Sequence, residues 1–297
     1  MMGYAISLTG LSKTYSKGWQ RKRVEAVRDV SLDISAGEAF GFIGPNGAGK
    51  STTIKMLMGL ALPTAGSISI YGVPTSRPES RKGLGYVPES PYLYDYLTPI
   101  EILTMSLRLH DVRVANSQRH CGEWLERFGL STVESSPIRS FSKGMTQRVA
   151  IAQALCINPR LLVMDEPLSG LDPVGRQEVV DILAGYKRQG GTLFFTSHVL
   201  HDVERLADRF GLIHQGELRS VGSPAELAGA EDSVLLRSQG KCAVHGMAPE
   251  TEGRWSGVFP RADLWAQLRL IEQAGHVIVE IRPTLSLESA FMKAIGR

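Results

Sequence analysis

An octapeptide near the N-terminus, GPNGAGKS at residues 44–51, constrains the fold more than any other part of the sequence. It satisfies the pattern G-x-x-x-x-G-K-[ST], follows the apolar run EAFGFI and precedes the helix-like STTIKMLMGL. In this strand–loop–helix context, glycines let backbone amides surround phosphate groups at the start of a helix. The octapeptide therefore predicts a nucleotide-binding domain of the α/β class.

The same loop predicts which residues contact the nucleotide. Lys50 adds a positive charge for the β- and γ-phosphates, and the Ser51 hydroxyl is suited to bind Mg²⁺. A glycine-rich turn without a ligand is the alternative, and the flanking strand and helix disfavour it. The residues expected to bind nucleotide here are Gly44, Pro45, Asn46, Gly47, Ala48, Gly49, Lys50, Ser51 and Thr52.

Two later apolar runs end in polar residues that fit the same site. PRLLVMDEP ends in Asp165 and Glu166, and GGTLFFTSH ends in His198. Both runs suit buried parallel strands, whose carboxyl ends meet at the ligand-binding edge of an open sheet. We expect Asp165 to hold Mg²⁺, Glu166 to orient or deprotonate a water, and His198 to bond the γ-phosphate. A solvated turn and a structural histidine are the respective alternatives.

Composition excludes several other classes of function. The 297 residues carry 33 Lys and Arg against 30 Asp and Glu, a formal charge of +3 that gives no reason to expect a nucleic-acid partner. The three cysteines form no CxxC pair, so neither a disulfide framework nor a zinc site is indicated. No apolar run approaches the roughly 18 to 20 residues that span a bilayer. If the protein acts on a membrane process, another chain must cross the membrane.

The pattern of predicted elements divides the chain in two. Residues 1–223 are expected to form the nucleotide-binding domain, with a helical subdomain at about 90–158. A change of composition near Gly222-Ser223-Pro224 begins a small accessory α/β domain at residues 224–297. Its helix-like segment ADLWAQLRLIEQAG has an apolar face that must be buried against another element.

Six motifs in fixed order resemble the nucleotide-binding subunit of ATP-binding-cassette (ABC) transporters. They are the octapeptide, YVPE, FSKGM, LLVMDEP, SGLD and TSH, and the resemblance covers roughly residues 5–221. It implies a P-loop NTPase fold of the ABC type, with a mixed sheet and a helical subdomain. The closing PTLSLESAFMKAIG is similar to the end of ATPase subunits from bacterial export systems.

The resemblance assigns further residues to the site. It implies that Tyr15 stacks on adenine and that Glu89, where the family usually has glutamine, contacts the metal and its water. Asp172 belongs to the segment that crosses between subunits. Ser142 and Gly144 match the family's signature, whereas its neighbouring positions differ.

FSKGMTQ itself has two possible roles. Ser142 can cap an amphipathic helix, which is ordinary packing, but a helix start also favours a bound anion. Through the resemblance, this start becomes half of a site for ATP held on a second copy, and a homodimer is implied. Lys143 either strengthens that phosphate contact or points to solvent.

The function implied is an ATP-hydrolysing subunit, dependent on Mg²⁺, that drives multi-spanning membrane permease subunits, most consistently in export. It would be a peripheral protein on the cytoplasmic face of the inner membrane. The alternatives are a soluble ABC ATPase without transport and an ATP-dependent regulator. The sequence leaves the transported substrate open.

Overall fold

The computed structural model describes residues 3–17, 22–224, 226 and 233–283. These fall into two compact units, Met1–Val221 and Gly222–Arg297. Trp19 with its neighbours at 18, 20 and 21, most of the segment PAELAGA and the C-terminal SLESAFMKAIG lie outside the described residues. Within the described ranges, no helix is long and apolar enough to cross a membrane.

A six-stranded sheet with the order β10-β9-β3-β8-β7-β6 forms the centre of the first unit. The pairs β3–β8, β3–β9, β7–β8 and β6–β7 are parallel. Strands β3, β7 and β8 are buried along their whole length, which explains their continuous apolar sequences. The strands are β3 (Ala39–Ile43), β6 (Leu84–Val87), β7 (Leu161–Met164), β8 (Thr192–Ser197), β9 (Arg209–His214) and β10 (Glu217–Gly222).

A second sheet, ordered β2-β1-β4-β5, packs against the first through a shared apolar core. Its strands are β1 (Tyr4–Lys17), β2 (Lys22–Ser35), β4 (Ala65–Ile70) and β5 (Val73–Pro74). The apolar runs AISLTGL and VRDVSLDI predict only two short strands, at residues 5–11 and 27–34, and both observed strands are longer. Polar residues continue the antiparallel pairing to Lys17↔Lys22, because a ribbon beyond the core needs no apolar alternation.

Three helices each follow a parallel strand along the chain. They are α1 (Lys50–Leu57), α5 (Pro173–Arg188) and α6 (Leu200–Leu206). Helix α5 begins as the sequence dictates, with Asp172 at the N-cap and Pro173 at the first helical position. Helix α6 starts two residues after His198 and packs on β3 and β8.

Three further helices, α2 (Pro99–Leu109), α3 (Ser117–Arg127) and α4 (Lys143–Cys156), pack on one another. Helix α2 opens with a capping box between Thr98 and Glu101. Helix α4 is capped by Ser142, whose hydroxyl accepts a hydrogen bond from the Met145 amide at 3.2 Å. The sequence predicted this cap and this helix. Helix α4 also packs on β6, which connects the three helices to the central sheet.

The second unit is a four-stranded antiparallel sheet, ordered β12-β13-β11-β14, with one described α-helix on it. The strands are β11 (Ser233–Gln239), β12 (Ala248–Thr251), β13 (Arg254–Pro260) and β14 (Val277–Pro283), and the helix is α7 (Leu264–Gln273). Ile271 is fully buried against Leu236, Val244 and Met247. Of the predicted apolar face, Ile271 is buried and Leu264 and Leu268 pack against the same core, whereas Leu270 is exposed.

We predict that Ile271→Ala lowers the free energy of unfolding of this unit by about 2–5 kcal/mol, because it leaves a cavity in a small core. Hydrogen exchange of the β11 amides should report the loss as reduced protection. Leu270→Ala is the matched control on the same helix, since Leu270 is 38% exposed. Equal effects of the two substitutions would contradict the burial argument.

Candidate functional site

The phosphate loop joins β3 to α1 and leaves the first helical amides exposed to a ligand. The N-cap residue of α1 is Gly49, which provides no side-chain cap and has φ of 115°. A Cβ at this position would lie 2.5 Å from the Ala26 carbonyl oxygen. Only glycine fits this close turn, and the turn points backbone N–H groups of a helix N-terminus into the site. This is a cradle for an anionic group such as a phosphate.

Lys50, Glu166 and His198 form a charged cluster beside the loop. The Lys50 ammonium lies 2.7 Å from the Gly44 carbonyl oxygen and 3.3 Å from Glu166 Oε1. His198 Nδ1 lies 2.8 Å from Glu166 Oε2. Lys50 and Glu166 are 6% and 8% exposed, so their charges act in a poorly hydrated setting. The sequence predicted that these three residues share one site, and the structure brings them together.

The two acidic residues after β7 are held by the neighbouring strand β8. Thr196 Oγ1 donates to Asp165 Oδ1 at 2.6 Å and accepts from the Glu166 amide at 2.9 Å. Glu166 has φ of 50°, a left-handed conformation that is unfavourable for a residue with a side chain. The Thr196 hydroxyl helps to hold that conformation, because it binds the amide of the strained residue itself.

A cleft of about 330 Å³ lies over the loop and contains most of the predicted residues. Its lining residues are Ala26, Pro45, Asn46, Gly47, Ala48, Gly49, Lys50, Ser51, Thr52, Glu89, Glu166 and His198. Of these, sequence reasoning missed only Ala26. It lies in the irregular middle of β2, and nothing in its residue type marks it as a site residue.

Other predicted site residues do not line the cleft. Tyr15 lies on β1, half exposed, with the Lys13 ammonium over its ring at 5.0 Å. Ser142 is exposed at the N-cap of α4, and Asp172 is exposed at the N-cap of α5. Gly144 also lies at the start of α4, where a Cβ would be 3.2 Å from the Gly170 carbonyl oxygen.

Lys143 is exposed at the start of α4. Its aliphatic chain lies on Gly170, where an added Cβ would be 3.0 Å from Lys143 Cδ and Cε. The lysine thus covers part of the segment SGLD that connects β7 to α5. A lysine stem can cover a neighbouring backbone in this way while its ammonium stays in water.

The three predicted metal ligands have the chemistry of a shared magnesium site. Ser51 and Glu89 line the cleft, and Asp165 is 5% exposed directly behind Glu166. No group of three His, Cys, Asp or Glu residues within the described ranges could hold a metal alone. Mg²⁺ commonly uses one or two carboxylates together with phosphate oxygens and water. The oxygens present therefore fit an ion that arrives with a nucleotide.

The family model described as ABC transporter matches residues 27–169, which include the phosphate loop, Glu89 and Asp165. An ABC transporter ATP-binding protein of Nostoc sp. (strain PCC 7120) is 36% identical over 98% of this chain and 90% of its own length. The chain belongs to the ABC transporter ATP-binding family. It is an ATP-binding protein with the ABC ATPase fold, and the family and fold class predicted from the six motifs are confirmed.

Two further relatives have named transport roles. The lantibiotic transport ATP-binding protein SrtF of Streptococcus pyogenes is 37% identical over 72% of this chain and 88% of its own length. The bacitracin transport ATP-binding protein BcrA of Bacillus licheniformis is 37% identical over 73% of this chain and 69% of its own length.

Solved structures show the same fold. The ATP-binding subunit of an ABC transporter superposes with a TM-score of 0.69 and 32% identity, covering 76% of this chain and 92% of that one. The ATP-binding cassette MJ0796, a dimer bound to ADP and Pi in a post-hydrolysis state, superposes with a TM-score of 0.68 and 25% identity. The match covers 73% of this chain and 98% of that one. ABC ATPases hydrolyse ATP, and the fold of this chain is that of their nucleotide-binding domain.

Thr196 is the second residue that sequence reasoning left without a role. The available signal was a hydroxyl near the end of a strand that is otherwise apolar and predicted to be buried. Such a hydroxyl must find hydrogen-bond partners inside the protein. The strand order needed to identify Asp165 and Glu166 as those partners is absent from the sequence.

We predict that Thr196→Val slows ATP hydrolysis and lowers the free energy of unfolding by about 1–3 kcal/mol, since it leaves a buried amide and a buried carboxylate oxygen unpaired. Steady-state hydrolysis and denaturant unfolding measure the two effects. Thr196→Ser is the control, because it retains the hydroxyl and removes only a methyl group. If the valine variant hydrolyses ATP like the serine variant, the hydroxyl does not position the two acids.

Proposed function

We propose that this protein is the ATP-hydrolysing subunit of a transmembrane ABC transporter and that the transporter is an exporter. The observation that carries the hydrolytic part is the cluster of Lys50, Glu166 and His198 beside the phosphate loop. A buried carboxylate, a cation and a histidine at the mouth of a phosphate cradle match the needs of water attack on a phosphate.

Each member of the cluster has a separate role in this proposal. When bound, Mg²⁺ and ATP supply the reacting phosphate and neutralise part of its charge. Glu166 accepts the proton of the attacking water, because its carboxylate lies at the cleft wall. Lys50 places positive charge at the phosphate oxygens, and Ser51, Glu89 and Asp165 provide oxygen ligands for the metal.

His198 both orients Glu166 and bounds the cleft. A carboxylate can only accept, so Nδ1 carries the proton in its 2.8 Å contact with Glu166 Oε2. In the neutral ring, Nε2 would then be an acceptor. The predicted hydrogen bond to the γ-phosphate therefore requires a protonated or reoriented imidazole.

We further propose that two copies complete each site. Ser142, Gly144 and Asp172 lie outside the cleft formed by their own chain. Ser142 is exposed at the N-terminus of a 14-residue helix, a position that suits a phosphate presented by another molecule. The dimeric state of MJ0796 supports the same arrangement. Tyr15 is assigned to the adenine because its exposed ring is available for stacking.

The membrane partner is assigned from relatives and from surface character. SrtF and BcrA are named for transport of a lantibiotic and of bacitracin, which supports export of a comparable compound. Tyr92, Tyr94 and Tyr96, shortly after Glu89, expose 96%, 55% and 66% of their surface. Such a group of exposed aromatic rings suits a protein partner. We assign it to permease subunits, which places this chain on the cytoplasmic face of the inner membrane.

A soluble ABC ATPase without transport is the alternative, and the chain that co-purifies from detergent-solubilised membranes separates the two. A multi-spanning protein bound to this chain, and released by Tyr92→Ser/Tyr94→Ser, supports the transporter. Recovery of a purely soluble partner would contradict it. Leu109→Ser is the control, because Leu109 is 76% exposed at the end of α2, outside the tyrosine group.

We predict that Glu166→Gln reduces hydrolysis by about 10²- to 10⁴-fold, the usual contribution of a general base, while ATP binding is retained. The glutamine keeps the size of the side chain and loses its basicity. Lys50→Ala should instead weaken nucleotide binding, because it removes the cation of the loop. Filter-binding and single-turnover assays measure both. Unchanged hydrolysis in Glu166→Gln would refute the assignment of the base.

We predict that Ser142→Arg abolishes hydrolysis while a single chain still binds ATP, because Ser142 lies outside the cleft of its own chain. Ser135→Arg, at an exposed serine in the same helical region, is the control and should hydrolyse normally. The measurements are ATP affinity at low protein concentration and turnover at high concentration. Normal turnover in Ser142→Arg would exclude a role of the helix start in a second subunit's site.

A further inference from the structure

Arg148 in the second turn of α4 joins three separate parts of the first unit. Its Nη1 donates to the Phe128 carbonyl oxygen at 3.0 Å, just beyond α3. Its Nη2 lies 3.0 Å from Glu178 Oε2, in the second turn of α5, and 3.9 Å from Asp172 Oδ1, at the N-cap of α5. One guanidinium therefore connects the helical region to the segment that carries Asp172.

The chain leaves room for this guanidinium at a glycine. A Cβ on Gly175 would lie 2.3 Å from Arg148 Nη2 and 2.7 Å from Asp172 Oδ1. Gly175 occupies the first turn of α5, where alanine would be the better helix former. The position of the Arg148 guanidinium thus explains why residue 175 is a glycine, since any larger side chain would collide with it.

Two other contacts connect α4 to the same segment. The Gln147 amide donates to the Pro167 carbonyl oxygen at 3.0 Å and is buried. The Lys143 stem lies on Gly170, as described above. Among these contacts, only those of Arg148 also reach the end of α3. Its side chain is 18% exposed, whereas those of Asp172 and Glu178 are 68% and 50% exposed.

We propose that Arg148 is a positioning residue that fixes the distance between Ser142 and Asp172, the two parts of the surface offered to a second subunit. This inference rests on the dimer proposed above. Arg148 does not line the nucleotide cleft of its own chain. Its loss should therefore spare ATP binding by one chain and impair assembly of the two-chain site.

The fork of the guanidinium explains why arginine suits this position. It donates along two directions at once, to a carbonyl oxygen on one side and to carboxylates on the other. Without it, α4 would retain the contacts of Gln147 and Lys143 with Pro167 and Gly170, and it would lose the contact that joins α5 to the end of α3. Small displacements of groups that must meet a reacting phosphate reduce rates by up to about 100-fold per ångström.

The test uses the full-length chain with Glu166→Gln, in which ATP should accumulate a dimer. Adding Arg148→Gln should leave ATP binding by the monomer within about twofold and weaken the ATP-dependent dimer by at least about tenfold, an effect of the size expected for a lost charged contact. Arg119→Gln is the matched control, because Arg119 is an exposed arginine on α3 that forms an ion pair with Glu123 of the same helix. Analytical ultracentrifugation with and without ATP reports the dimer.

Gly175→Ala provides a second variant that keeps Arg148 and displaces its head. It should favour helix α5 and still weaken the dimer, which loss of fold stability would not explain. In the double variant Arg148→Gln/Gly175→Ala, the loss should be smaller than the sum of the two single losses. The arginine head is gone, and the alanine can then disturb only Asp172 Oδ1, 2.7 Å from its Cβ. In the chain with Glu166 restored, kcat should fall for Arg148→Gln and nucleotide affinity should not.

The possible outcomes distinguish failure of the proposed two-chain site from failure of the positioning role of Arg148. If the Glu166→Gln parent forms no dimer with ATP, the proposed two-chain site fails, and the role of Arg148 fails with it. If the parent dimerises and Arg148→Gln dimerises equally well, the positioning role alone is overturned. Additive effects of Arg148→Gln and Gly175→Ala would also overturn it. Weak dimers in both single variants, with a loss in the double variant that is smaller than the sum of the two single losses, support it.

Discussion

The buried carboxylate of Glu166 depends on two neighbours, Lys50 at 3.3 Å and His198 at 2.8 Å. An ionised group that is 8% exposed needs such partners, since removing a charge from water costs several kcal/mol. The three residues follow β7, β3 and β8, and these strands lie side by side in the order β3-β8-β7. Their parallel direction brings all three ends to one edge. The order of the central sheet is therefore a requirement of the site as well as of the core.

The parts of this structure that the sequence predicts are those in which residue type and spacing suffice. The octapeptide requires a strand before it and a helix after it, and both are present. The apolar runs before Asp165 and His198 are buried strands, as predicted. A strand that is covered on both faces has a continuous apolar sequence, which is easy to recognise. Ser142 caps α4 because its hydroxyl can reach a free amide at a helix start.

The parts that the sequence does not predict depend on contacts between distant segments. Thr196 becomes important only when β8 is placed beside β7, and Lys143 finds Gly170 only when α4 is packed against the segment after β7. The extension of β1 and β2 was missed for a different reason. Polar residues on a projecting ribbon carry no hydrophobic periodicity, so propensity and patterning give little signal there.

The segment from Glu166 to Asp172 connects the nucleotide cleft, which Glu166 lines, to the exposed surface at the N-cap of α5, where Asp172 lies. It begins at the strained residue Glu166, and the Ser169 amide bonds back to the Glu166 carbonyl oxygen at 3.1 Å. Helix α4 contacts this segment at Pro167, Gly170 and Asp172. If Glu166 moved relative to Lys50, the displacement would reach Asp172 only through these few residues. Through these contacts, the helix that starts at Ser142 is attached to the segment that begins with Glu166, the proposed catalytic base. The sequence alone had made that helix start look like a second anion-binding site without a ligand.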